Sequence, residues 1–157
     1  MNNSLDILSE SLDDKIELLK EIQEYNKKQE MAFSEGEPDI DGFDSAIEEK
    51  GMLIERLEKL DEGFEALYER VSDELKKDRS KYADRIKELQ DKITIITELS
   101  STIQAQEARN KKLIETYFNK QRSAVRQGRV GSKVAYDYYK NMTGVGYGIK
   151  SIMDEKN

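Results

Sequence analysis

Carboxylates and amines are almost the only groups in this 157-residue sequence that could take part in chemistry: 33 Asp/Glu and 26 Lys/Arg, with no histidine and no cysteine. The missing residue types exclude thiolate nucleophiles, disulfide frameworks and nearly all zinc sites. Histidine, the side chain best suited to proton transfer near neutrality, is missing with them. Carboxylates and lysines could still catalyse, but only in a desolvated pocket that shifts their pKa values. The carboxylates of Glu48, Glu49, Glu55 and Glu58 lie at helical spacing. A carboxylate-bridged di-metal site in a bundle adds histidines at Glu-x-x-His spacing, which this chain cannot supply. A solvated face with i,i+4 pairs such as Glu55–Lys59 is the plainer reading. The GVGYG stretch at 144–148 has the glycines of a phosphate loop, but no strand precedes it and no Lys-Ser or Lys-Thr pair follows in register. No cofactor, no metal and no enzymatic activity are expected.

Binding remains as the chemistry on offer. Charge is uneven: residues 1–49 hold fifteen Asp/Glu and four Lys/Arg, whereas residues 109–140 hold nine Lys/Arg and two Asp/Glu. One reading has these faces attract each other as the chain folds back antiparallel. The other makes the basic run a nucleic-acid patch, but it carries no recognition motif and sits in a chain of net charge -7, so no nucleic acid is expected. The end of the chain offers tyrosine, methionine and branched aliphatics among glycines. Tyrosine gives broad contact area with a polar tip, and methionine adapts to varied partners. Partner binding is accordingly assigned to Ile114, Tyr117, Val134, Tyr138, Tyr139, Met142, Tyr147, Ile149 and Ile152. The competing reading packs this tail on its own bundle, and the two could alternate.

The elements that position these residues are helices. A first stripe, Leu5, Leu8, Leu12, Ile16, Leu19 and Ile22, repeats at steps of three and four and fades towards Phe33. The acidic segment 34–42 holds two glycines and the lone Pro38, and breaks the chain. A second stripe runs Phe43, Ile47, Ile54, Leu57, Leu60, Phe64, Leu67, Val71 and Leu75, with Lys50 where an apolar residue belongs. Strong helix formers should carry this helix through Gly51 and Gly63. Polar residues 76–81 either break the chain again or leave helices two and three continuous.

The third segment has a 4-3 heptad seam at 82, 86, 89, 93, 96, 100, 103, 107, 110, 114, 117, 121 and 124, a coiled-coil-like pattern. Its polar members, Ser100, Glu107, Asn110 and Gln121, all follow Ile96, so its second half is expected to be wetter and freer for a partner. Residues 132–142 form a short amphipathic helix with Val134, Ala135, Tyr138, Tyr139 and Met142 on one face. The fold class is therefore all-α: an elongated antiparallel bundle of about three long helices over 1–127, then a glycine- and tyrosine-rich binding tail over 128–157.

The start, MNNSLDILSESLDDK, lacks the basic residues and apolar run of a signal peptide. No window approaches the ~20 apolar residues of a membrane span. Cytoplasmic residence without membrane insertion is the expectation.

Residues 43–76 resemble the centre of FlgN-type flagellar export chaperones, in which a run Lys-x-x-Leu-[Ile/Leu]-x-x-Leu-x-x-Leu comes after an N-terminal helix and its loop. Here Lys50, Leu53, Ile54, Leu57 and Leu60 fit that run. The ending, YDYYKNM, a glycine-rich link and SIMDEKN, is similar to that of some members, FliT-like ones among them. The resemblance implies a chaperone for late export substrates, the hook–filament junction or filament cap proteins. Such a protein covers the substrate's aggregation-prone terminal helix by helix-in-groove binding and docks at the export gate, without ATP or metal. Several tail tyrosines could be the gate-contacting one, and the pattern does not choose among them. The competing function is a coiled-coil scaffold that associates with itself through the seam at 82–124, and a homodimer stays open under either reading.

Overall fold

The structure, a computed structural model, describes residues 2–34, 36–120 and 130–140. Four helices account for nearly all of them: α1 (Asn2–Met31), α2 (Ile40–Lys77), α3 (Ala83–Lys120) and α4 (Val130–Lys140). The three long ones span about 45, 57 and 57 Å at 1.5 Å per residue. No strand occurs among the described residues.

The chain reverses where its composition changes. After α1, the Asp39 N–H donates to the Ala32 carbonyl at 2.9 Å and closes the loop. Gly36 takes a φ of +53°, a left-handed conformation that side-chain-bearing residues avoid. The Asp39 carboxylate then accepts from the Gly42 N–H at 3.0 Å, an N-cap that starts α2. α2 runs through Gly51 and Gly63 as expected. It ends at Lys77, so the polar run 76–81 is a true break and α3 is a separate helix.

α1 is central and packs along both α2 and α3. Two reversals make it antiparallel to α2 and parallel to α3, a register marked by Lys15–Asp61 and Lys50–Asn26 on one side and by Asp6–Arg85 and Asp13–Lys92 on the other. The two charged stretches do pack together, where Ile40, Phe43 and Ile47 meet Ile114, Ala135 and Tyr139, but α1 runs parallel to α3 and not antiparallel as expected. The acidic start of α1 lies beside the beginning of α3, where Arg85 meets Asp6 at 2.8 Å and Lys92 meets Asp13 at 3.0 Å. Among the ion pairs of the described residues, Arg109–Glu30 at 3.9 Å links the basic run to α1.

All six α1 stripe residues are buried, with Leu53, Leu57, Phe64 and Val71 of α2 and Leu89, Ile93, Ile96 and Ile103 of α3. A second, smaller core lies at the other end: Ile40, Phe43 and Ile47 of α2, Ile114 of α3, and Ala135 and Tyr139 of α4. α4 packs on α2 and α3 there and joins them where α1 gives out.

Candidate functional site: a buried polar layer and the grooves beside it

Between the two cores lies a layer of polar side chains contributed by all four helices. Lys50 of α2 is wholly buried. Its Nζ donates to Asn26 Oδ1 and to Glu107 Oε1, each at 2.7 Å, and lies 4.4 Å from the centre of the Tyr138 ring. The other Glu107 oxygen accepts from the Tyr138 hydroxyl, so this carboxylate joins α2, α3 and α4. Asn26 donates to Gln106 Oε1 at 3.2 Å, and Asn110 donates to the Asn26 carbonyl at 3.0 Å. Gln29 donates to the Tyr139 hydroxyl at 2.8 Å, a second link from α1 to α4.

Burial dominates the electrostatics of the layer. It pushes the Lys50 amine down to about 8, against the opposing pull of Glu107. It holds both tyrosine phenols well above their ordinary value, and the Glu107 charge adds to this. Asp44 of α2 is also buried, and neither of its oxygens has a hydrogen-bond partner among the described residues. Burial, then the neighbouring Asp41 and Glu48 charges, raise its carboxyl to about 7. A buried ion pair is weak evidence of net stability, but buried donors and acceptors that pair in one register specify how helices align, here with Gln29 Oε1 and Asn110 Oδ1 left without a partner among the described residues.

The expected wet half of the seam is this layer. Ser100, Glu107 and Asn110 are all buried; Ser100 turns its hydroxyl to the Ile96 carbonyl at 2.6 Å, and the other two pair within the bundle. At Glu107 and Asn110 polarity in the seam reports partners on other helices of the same chain, not exposure, and Gln121 lies outside the described residues. Lys50, read as an interruption in its stripe, is the cation that Glu107 requires.

The assigned binding residues divide by position. Ile114 and Tyr139 are buried in the second core, while Val134, Tyr138 and Tyr117 are partly buried against it. The expected α4 face (Val134, Ala135, Tyr138, Tyr139) is the face turned to the bundle. Met142, Tyr147, Ile149 and Ile152 lie outside the described residues. Phe33, Leu113 and Phe118 were not among the assigned residues; they gather round the same end only once α1, α3 and α4 come together.

Two grooves flank the last turns of α3. One, between α3 and α4, has Ile114, Phe118, Ala135 and Tyr139 along it, with Lys111 and the 56% exposed Tyr136 at its edge. The other, between α3 and the end of α1, has Phe33, Pro38, Leu113 and Tyr117 along it. Among the described residues there is no cluster of Asp/Glu able to hold a metal ion, and no helix long and apolar enough to cross a membrane.

A family model described as FlgN protein matches residues 1–144. No curated protein and no solved structure matches the chain. Because the match runs from α1 through α4 over most of the sequence, the chain belongs to the FlgN protein family, the FlgN-type flagellar chaperones.

Proposed function

We propose that this protein is a cytosolic export chaperone that holds the terminal helix of a flagellar substrate, a hook–filament junction or filament cap protein, and delivers it to the type III export gate. The observation that carries this reading is the apolar groove between α3 and α4, open beside Tyr136 at the end of the bundle where the second core comes to the surface. An amphipathic helix laid there would bury the apolar stripe that its owner otherwise uses to polymerise. Burial at about 25 cal/mol per Å² would drive binding without a nucleotide or metal.

The competing scaffold reading needs the α3 seam free to pair with a second copy. From Leu89 to Ile114 the seam residues are buried within a single chain, which supports the chaperone reading. Co-expression with terminal segments of junction, cap and filament proteins tests the proposal. Capture of one of the first two as a stoichiometric complex, lost in Phe118→Asp, is the expected result; capture of none overturns it.

A further inference from the structure

The groove on the other flank of α3 has a chemistry of its own. Its α3 wall is built by residues 109, 112, 113, 116, 117 and 120, one continuous helical face about three turns long. The middle of that face is apolar, with Leu113 and Tyr117 opposite Phe33 and Pro38. Phe33 is held from below by Phe43 of the second core, edge to face with centroids 5.4 Å apart, and meets Tyr117 at 6.2 Å. The strip is therefore an outcrop of packed core. Along its margin stand three cations, Arg109, Lys112 and Lys120, against the single carboxylate of Glu30, which lies 3.9 Å from Arg109. A protein of net charge -7 thus concentrates positive charge beside an apolar strip of helical length and spacing.

We propose that this groove binds an amphipathic helix of the partner protein whose apolar stripe is flanked by acidic residues. The proposal rests on the chaperone reading and adds the charge that the bound helix must carry. An apolar stripe would settle against Phe33, Leu113 and Tyr117 by ridge-into-groove packing. Its flanking carboxylates would meet Lys112 and Lys120, which supply orientation and selectivity more than affinity. A nucleic acid would leave the strip uncovered and meet the Glu30 carboxylate, so a protein helix fits better.

The test uses the full chain and two designed peptides with one leucine stripe, flanked by glutamates in the first and by lysines in the second. Fluorescence anisotropy should show the glutamate peptide binding about tenfold more tightly at low salt, with the gap narrowing as salt is added. Lys112→Glu/Lys120→Glu, two changes at exposed positions, should reverse the preference, and Tyr117→Ala should weaken both peptides. Equal binding of the two peptides, a preference that survives the double reversal, or displacement by a DNA duplex at lower concentration than by free glutamate peptide overturns the proposal. If a flagellar segment is captured equally by wild type and the double reversal, this groove assignment fails and the chaperone reading stands. If the peptide preference holds but no flagellar segment is captured, only the chaperone reading fails.

Discussion

Glu107 accepts from both Lys50 and Tyr138, so the loss of its carboxylate strands a buried ammonium and a buried hydroxyl. Glu107→Leu is expected to lower unfolding stability by about 3–5 kcal/mol, measured by urea denaturation, because breaking a buried pair leaves an uncompensated charge. Asp44 has the opposite problem, a carboxyl kept near neutrality by its surroundings. Its pKa rises from 3.8 to about 7 on folding, so between those values the folded state binds more protons than the unfolded one. Its contribution to stability is present below about pH 4 and is lost as pH rises through about 7. Asp44→Asn is expected to match wild type near pH 4 and to be the more stable of the two at pH 8. Because the other carboxylates titrate in both proteins, the difference between their urea midpoints isolates Asp44. A constant gap across that range would show that the Asp44 charge is not destabilising.

Among the elements, α4 depends most on its docking. Eleven residues are too few for a helix to persist alone in water. Ala135 is fully buried where α4 meets the bundle. Ala135→Glu should therefore undock α4, opening the layer from one side and uncovering Phe43 and Ile114. Hydrogen exchange should accelerate over residues 40–50 and 107–118, while the Leu5–Ile22 stripe keeps its protection. Uniform acceleration along the chain would show that the two cores unfold as one. The α4 face was legible in the sequence because Val134, Ala135, Tyr138 and Tyr139 share a helical face whatever lies opposite. So were the α1 stripe and the break at 34–42, since periodicity and turn residues are local signals. The layer was legible only as anomalies, Lys50 in one stripe and Glu107 in another. Pairing these two, 57 residues apart, requires the register of α2 against α3, which loops and packing decide together. The direction of α1 was hidden for the same reason: charge balance set residues 1–49 against residues 109–140 but did not show that α1 runs parallel to α3.

Across the whole molecule, the layer answers a problem that long, regular stripes create. Leu5, Leu12 and Leu19 of the α1 stripe recur at heptad spacing, so sliding α1 by seven residues along α3 would keep part of the apolar contact. The slide would take Asn26 from Gln106 and Asn110 on α3 and from Lys50 on α2, leaving buried polar groups unpaired. Surface pairs such as Asp13–Lys92 contribute too little to hold the register alone. Replacing the layer by apolar residues, in Asn26→Leu/Lys50→Met/Gln106→Leu/Glu107→Leu/Tyr138→Phe so that no partner is stranded, should thus keep or raise stability while relaxing alignment. The sequence holds no cysteine, so engineered thiols report the register without background. A thiol-reactive cross-linker shorter than the ~10.5 Å rise of one heptad should join Asp13→Cys to Lys92→Cys in the otherwise native chain. It should leave Asp6→Cys with Lys92→Cys, the pair one heptad out, unjoined. In the apolar-layer background the second pair should also cross-link. If the out-of-register pair stays unjoined there, the apolar cores fix the alignment and the buried layer serves only to dock α4.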